Sequence, residues 1–434
     1  MAAKTQNSLS ISRVQVERLF GHFTYDLQGE EADLSKLLIL YGDNGSGKTT
    51  ILNCIFHLLS PTTNRGHRGA LARVPFKQFS VRLGKDTVVT AERSQGNLVG
   101  GFEMSLQSAS IRKISVPFEV DANFKIQVTG EAFRPLFTAL TSLGLGLHFL
   151  SDERKIITDL APAEERPSRS LKGVLSSAKN ASGPAADYLE MAIQRAVDGI
   201  RKQAIAGSGV GEVNANIQYA DIARRIVSPY LRGKIQEIPS LTDLINDLKH
   251  QAARSVSFAR FGLSTELPAD DLLPALQSTG ALEHAEVLHQ IMRPFVDGFK
   301  LRLDALEPLH DKISTFVETV NAFYQGKSIS FQLGEGIVVT SEGGEILNPS
   351  VLSSGEKQLL LLFCNILAAG DRASIFIIDE PELSLNVKWQ RKLVDALLEC
   401  TRNTHTQFVL ATHSLELLTQ HQHNVLQLSS RVAA

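Results

Sequence analysis

The 434-residue chain has only three cysteines and one tryptophan. Cys54, Cys364 and Cys400 have neither the paired spacing of a disulfide framework nor the close spacing of a metal knuckle. They read as small core residues in a reducing compartment. Long apolar runs are missing as well. Nothing approaches the roughly 20 residues that a membrane helix requires, and candidates such as Leu359 to Ala369 read as core, so no membrane association is expected. Charge of one sign is also lacking: 44 basic against 46 acidic side chains leave a net charge of −2. That balance argues against global attraction to nucleic acid while permitting a local basic face. The N-terminal MAAKTQNSLS has no apolar signal core, so export is not expected and a cytoplasmic location is. What remains, 43% apolar and 21% charged residues, suits a globular protein long enough for two or three domains.

Against this ordinary background two short segments carry chemistry. The first is Gly42-Asp43-Asn44-Gly45-Ser46-Gly47-Lys48-Thr49. Lys36 to Tyr41 (KLLILY) before it reads as a buried strand, and Thr50 to Leu59 (TILNCIFHLL) after it as an amphipathic helix. A glycine turn with an incidental lysine would not share both flanks. In a strand-to-helix turn, glycines let successive N–H groups face inward on phosphates, and the helix N-terminus adds partial positive charge. Lys48 is expected to reach the β- and γ-phosphates and Thr49 to hold Mg²⁺. Residues 42 to 49 together with Thr50 are the candidate ATP-binding residues of this half.

The second half supplies carboxylates. Ser374 to Ile378 (SIFII) reads as a buried strand delivering Asp379-Glu380 at its carboxyl end, where open α/β sheets bind ligands. Asp379 is expected to coordinate Mg²⁺ with Thr49, and Glu380 to orient the attacking water. Gln407 to Ala411 (QFVLA) is a third strand candidate, followed by Thr412-His413-Ser414. Between these and the first half lies Leu352-Ser353-Ser354-Gly355-Glu356-Lys357, preceding the helix-like run Glu356 to Leu367. Its N-terminus is a second anion site; taken alone, Ser-Ser-Gly-Glu is also an ordinary helix cap.

The order of P-loop, Ser353-Ser354-Gly355-Glu356 signature, Asp379-Glu380, Ser384-Leu385-Asn386 loop and His413 resembles the ABC ATPase family, over roughly residues 8 to 100 and 325 to 434. The Ser-Gly-Glu-Lys-Gln signature is similar to that of the SMC, RecF and OLD group. The resemblance implies an α/β P-loop NTPase fold of ABC-ATPase type with a discontinuous core, ATP and Mg²⁺ as cofactors, and His413 as the switch histidine at the γ-phosphate. It also implies head-to-tail dimers, in which Ser353, Ser354, Gly355 and Glu356 of one chain complete the site built on Lys48 of the other. Lys48 and Ser353 are 305 residues apart (353 − 48), far more than a transporter's nucleotide-binding domain needs. A transporter subunit is therefore the distant reading.

The expected organisation is an N-terminal part of the head at residues 1–160, an insertion at 161–325 and a C-terminal part of the head at 326–434. Ile11 to Leu27 reads as a strand pair. Within 78 to 129, the runs FSVRL, TVVTAE, FEMSL and FKIQV alternate as in an antiparallel sheet. Leu147 to Ile157 reads as a strand leaving the core, after which Ser151 to Arg154 either approach the γ-phosphate or form a surface turn. Residues 161–185 and Gly207 to Gly211 read as loops. Residues 186–205, 219–253 and 281–325 have helical spacing, and Ser328 to Leu333 and Gly336 to Thr340 read as strands. Without sustained heptads, and interrupted by Pro229, Pro239, Pro268, Pro274, Pro294 and Pro308, the insertion is expected to be a short helical pair or bundle rather than a long coiled coil.

For the output, Arg65, Arg68, Arg73, Lys77, Arg82, Lys85 and Arg93 against Asp86 and Glu92 read either as part of a DNA-facing surface or as a solvated sheet face. His421-Gln422-His423 lacks a third metal ligand and reads as surface. OLD-type nucleases carry a TOPRIM domain after the ATPase; 21 residues follow His413 (434 − 413), too few for one. The expected role is that of an ATPase similar to those of Septu and PARIS antiphage systems, assembling as a homo-oligomer and controlling a separately encoded effector nuclease. The competing expectation is a RecF-like dimer that clamps DNA.

Overall fold

The computed structural model describes residues 9–29, 35–94, 96–127, 133–151, 156–159, 188–208, 241–278, 285–370 and 372–428. Two compact units result, one of residues 1–188 with 369–434 and one of residues 189–368. Residues 326–368, expected with the C-terminal part of the head, group with the helical unit instead. The cause is local: Lys327 pairs with Glu356, Tyr324 donates to the Glu356 carbonyl, and Phe323 packs on Phe363.

The strands are β1 (Ile11–Leu19), β2 (Phe23–Gln28), β3 (Leu37–Tyr41), β4 (Gln78–Leu83), β5 (Thr87–Glu92), β6 (Phe102–Gln107), β7 (Ile114–Phe118), β8 (Gly146–Leu150), β9 (Ile156–Asp159), β10 (Lys327–Gln332), β11 (Gly336–Ser341), β12 (Ile346–Leu347), β13 (Ser374–Asp379), β14 (Thr406–Thr412) and β15 (Val425–Gln427). The first unit holds two sheets, ordered β15-β3-β14-β13-β8-β9 and β2-β1-β4-β5-β6-β7. In the former every pairing from β15 to β8 is parallel and only β9 is antiparallel. Its central strands are buried along nearly their whole length, which is why they read as unbroken apolar runs. Register places Tyr41 beside Thr412 and Asp379 beside Ala411. The carboxyl ends of β3, β14 and β13 therefore lie in a row.

The second sheet is antiparallel, and its alternating residues Val14, Val16, Phe79, Val81, Val89, Met104 and Leu106 turn inward. They share one core with Ile51, Leu52 and Ile55 of helix α1 (Lys48–Leu59) and with Leu38, Leu40, Ile377 and Val409 of the parallel sheet. The Gln407 side chain stitches the sheets together, accepting from Ile11 N (2.7 Å) and donating to Ile11 O (2.9 Å).

Several expectations need correction. The fourth antiparallel strand is β7, not FKIQV, which among the described residues contributes the bridge between Val120 and Ile126. Pro117 is compatible with this because β7 is an edge. The run from Leu147 to Ile157 breaks into β8 and β9, which fold back on each other. Arg68 and Arg93, counted as surface charge, are buried. Arg68 donates to the carbonyls of His57 and Ser60 at the α1 C-terminus, and Arg93 to those of Leu71 and Ala72 in the last turn of helix α2 (His67–Arg73) and of Phe76 just past it. These guanidiniums add donors to carbonyls at and just past the two helix ends, where the intrahelical ladder runs out.

A buried polar chain closes the same end of α1. His57 Nδ1 lies 2.9 Å from His67 Nδ1, and His67 Nε2 lies 3.3 Å from Asp159 Oδ2 on β9. Asp159 is fully buried and also accepts from Ser60 and Thr62. Burial above all holds both imidazoles neutral, His67 at a pKa of about 4 with the positive charge of Arg68 next in effect, and His57 at about 3 with Arg68 a smaller cause. For His57 the neighbouring His67 adds to the same effect. Helix α3 (Arg134–Ser142) completes this part of the unit with Leu136, Ala139 and Leu140 turned into the core.

In the second unit, helix α4 (residues 188–208), α5 (Leu241–Arg260), α6 (Ala269–Gln277) and α7 (Ala285–Asn321) accompany the hairpin of β10 and β11. Leu244, Leu248, Leu267, Leu276 and Val296 form a core between α5, α6 and α7. Pro294 and Pro308 do not end α7, which runs 37 residues through both, and Pro274 lies inside α6. A helix-interior proline removes one hydrogen bond and kinks the axis without necessarily stopping it. The expected loops at 161–185 and 209–211 and the helical spacing at 219–240 lie outside the described residues, as do Asp152 to Arg154; Gly207 and Ser208 end α4.

Candidate functional site

The phosphate loop leaves β3 at Gly42 and enters α1 at Lys48. Gly45 and Gly47 have φ of 83° and 89°, the left-handed region that glycine adopts without a Cβ penalty. A Cβ on Gly47 would stand 2.9 Å from Leu19 Cδ2, and one on Gly42 would stand 3.0 Å from Ser46 Oγ. The loop is anchored from outside by Tyr25, whose hydroxyl donates to Ser46 O (3.0 Å). No side chain caps α1 and its first turn holds no acidic residue, so its N–H donors and dipole face outward uncompensated. Lys48 is buried, and its Nζ donates to Gly42 O (2.7 Å) and Asp43 O (3.0 Å), folding over the loop mouth. Ser46 Oγ is buried with no hydrogen-bond partner among the described residues. A glycine cradle, an inward ammonium and an uncapped helix end together suit a polyphosphate.

Along the same row of strand ends, Asp379 is buried at the end of β13, and Glu380 follows with φ of 48°. A non-glycine residue there is uncommon and carries strain; the Glu380 N–H donates to Ala411 O (2.9 Å), which fixes the turn. The Glu380 carboxylate meets His413 Nδ1 at 3.3 Å, both side chains reaching solvent. Thr49 and Asp379 are hard oxygen donors of the kind Mg²⁺ prefers.

Beyond β13, Asn386 caps helix α9 (Val387–Cys400) by accepting from Trp389 N (3.0 Å). From α9, Gln390 donates to Leu385 O (2.9 Å) and accepts from Ser414 Oγ (3.0 Å). Loop, helix start and the turn after β14 are thereby joined. In the second unit, Ser353 Oγ accepts from Glu356 N (3.3 Å) and Glu356 Oε2 accepts from Ser353 N (2.7 Å), a reciprocal capping box at the start of helix α8 (Ser354–Ala369). Burial alone would raise the Glu356 pKa, but hydrogen bonds from Lys327 and Ser353 outweigh it and hold the carboxyl below its usual range. Ser353 and Ser354 are exposed, Gly355 and Glu356 buried. Glu356, expected among the nucleotide-binding residues, has its carboxylate committed to Ser353 and Lys327, so its place is to hold the cap.

Residues 241–419 match the family model described as "AAA domain, putative AbiEii toxin, Type IV TA system". That span is under half of the chain and includes the signature, Asp379-Glu380 and His413, but not the phosphate loop. Curated relatives include "Putative ABC transporter ATP-binding protein TTE1589" of Caldanaerobacter subterraneus, 32% identical over 87 residues, or 20% of this chain and 15% of that protein. Another is the lipoprotein-releasing system ATP-binding protein LolD of Ruegeria pomeroyi, 38% identical over 76 residues, or 18% and 32%. The chain thus aligns with about a third or less of either relative. Similar solved structures include the Smc head domain with an extended coiled coil bound to the C-terminal domain of ScpA from Pyrococcus furiosus, at 12% identity and a TM-score of 0.40 over 98% of this chain and 94% of that one. The Smc head with a coiled coil and joint from Pyrococcus yayanosii gives 14% and 0.38 over 98% and 95%. At such scores the fold rests on its own strand order and phosphate loop.

The chain has the fold of a P-loop ATPase of the AAA/ABC type. Its discontinuous α/β core carries an antiparallel β subdomain and a helical insertion. No helix among the described residues is long and apolar enough to cross a membrane.

In this P-loop ATPase fold, the residues from Gly42 to Thr50 lie on the loop and the α1 start, and Asp379, Glu380 and His413 at neighbouring strand ends. His421 pairs with Asp395 at 3.2 Å. Sequence reasoning misses the loop contact of Tyr25 and the partners of Glu382. Tyr25 reads as an ordinary strand position, and Pro381-Glu382 only as a part of the resemblance that follows Asp379-Glu380; the pairing of β13 with β14 reveals the contacts of Glu382.

Proposed function

We propose that the chain binds ATP with Mg²⁺ on the phosphate loop and hydrolyses it. The observation that carries this is the convergence, at one row of strand ends, of the glycine cradle with buried Lys48 and the Glu380–His413 pair. Lys48 exchanges its contacts with Gly42 O and Asp43 O for phosphate oxygens. Glu380 orients the attacking water and accepts its proton, while His413, hydrogen-bonded to Glu380, faces the γ-phosphate. Thr49 and Asp379 would hold Mg²⁺, which supplies charge neutralisation on the β- and γ-phosphates. Two copies dock around ATP in this reading, and the exposed Ser353 and Ser354 at the α8 N-terminus support it: offered to a second copy, they complete that copy's site, with Gly355 allowing close approach.

The test separates binding from turnover. Lys48→Ala loses ATP binding, whereas Glu380→Gln binds ATP and loses turnover, because a group acting mainly in the transition state contributes little to ground-state affinity. Wild-type hydrolysis by purified Glu380→Gln protein rules out the role of Glu380.

For the output, we favour a regulatory ATPase of an antiphage module whose closed dimer holds or activates a separately encoded effector nuclease. The RecF-like reading loses support because two of its seven candidate basic side chains, Arg68 and Arg93, are buried. Co-expression with the product of the adjacent gene, followed by mass measurement with and without ATP, decides it: equal association with ATP, ADP and no nucleotide removes the switch.

A further inference from the structure

Glu382 is a carboxylate in an interior position, 5% exposed, with no part in the chemistry assigned above. Its Oε1 accepts from Thr412 Oγ1 (2.5 Å) and from the His413 N–H (3.2 Å). Its Oε2 finds no hydrogen-bond partner among the described residues. A buried acceptor left unpaired is unfavourable, and one neutral amide oxygen would satisfy both donors. What the two donors require is an acceptor at the place of Oε1.

What it holds is the turn that presents His413. Ser414 N donates to Thr412 Oγ1 (2.9 Å), Thr412 Oγ1 donates onward to Glu382, and the His413 N–H donates to the same oxygen. The His413 ring is left 3.3 Å from Glu380 and 3.6 Å from Glu382. Gln390, bonded to the Glu382 carbonyl and to Ser414 Oγ, ties the other side of the turn to α9. The geometry points to Glu382 as a positioning residue for the Glu380–His413 pair, acting through Thr412 and the His413 backbone and not on the nucleotide. The inference rests on the ATPase reading proposed above.

The experiment is a double-mutant cycle on the full chain, with ATP affinity and turnover measured separately above the Lys48→Ala background. Glu382→Ala lowers kcat about 100-fold, the scale on which loss of positioning acts, and leaves the ATP dissociation constant within about 3-fold. Glu382→Gln, which keeps an acceptor at Oε1, stays within about 3-fold of wild-type kcat. Added to His413→Ala, Glu382→Ala slows turnover no further, because both changes remove one device. Melting curves accompany each variant. Should Glu382→Ala fail to fold, Thr412→Val cuts the same relay at its other end and takes its place in the cycle, with kcat about 10-fold lower and the same non-additivity. Wild-type kcat in Glu382→Ala, an equal loss in Gln and Ala, or a full further loss on top of His413→Ala overturns the role of Glu382. Wild-type turnover no higher than that of Lys48→Ala instead overturns the ATPase reading itself.

Discussion

Acidification should unfasten the first unit through the histidine chain behind the phosphate helix. In the unfolded chain both imidazoles take a proton near pH 6.5. In the fold, burial, reinforced by Arg68, holds His67 at about 4 and His57 at about 3. Between pH 6.5 and about 4 the unfolded state binds more protons than the folded one. The stabilisation is thus complete above pH 6.5 and is lost as pH falls toward the folded values. From pH 7.5 to pH 5 each imidazole accounts for about 2 kcal/mol by linkage, and the pair for about 2–4 kcal/mol because the two rings share a hydrogen bond. Trp389, the one tryptophan of the chain, lies in the same unit, so its fluorescence in urea reports this transition. The comparison is with a His57→Gln, His67→Gln double variant, which keeps polar groups but cannot titrate. Wild type should lose about 2–4 kcal/mol more than the variant across that interval. Parallel pH profiles for the two proteins would refute the reasoning, whatever their absolute stabilities.

Two further outcomes test the nucleotide site. Ser353→Arg binds ATP but does not turn it over, and mixing it with Lys48→Ala protein restores at most one composite site per dimer; full activity of Ser353→Arg alone refutes the shared site. Gly47→Ala destabilises the first unit by about 2–4 kcal/mol, from a left-handed φ and a Cβ forced against buried Leu19, read as a lower urea midpoint at constant slope.

The parts of this protein that the sequence displays are those whose cause is local. The phosphate loop is one such part, because glycine spacing, Lys48 and the two flanking elements lie within a single strand-to-helix unit. The parallel strands are another: burial on both faces writes itself as KLLILY, SIFII and QFVLA whatever the neighbours are. What stays hidden depends on partners brought from far along the chain. Asp159 meets Ser60 across 99 positions, so nothing around either residue announces a buried network. Glu382 meets Thr412 across 30, and its contacts depend on the pairing of β13 with β14. Charge misleads for a related reason. Arg68 and Arg93 look like surface residues, yet carbonyls at and just past the ends of α1 and α2 accept from them in the interior, a demand set by where those helices end and not by the residues beside each arginine. Proline misleads in the opposite direction: Pro294 and Pro308 read as interruptions, but α7 continues through them while packed against α5, tertiary contacts outweighing a local penalty of about 3 kcal/mol each. The same distinction separates the proposed site residues from the contacts that hold their turn. Lys48 sits at a helix start and Asp379 and Glu380 at a strand end by virtue of their own segments, whereas the contacts of Glu382 with Thr412 and His413 are visible only once the two strands lie side by side.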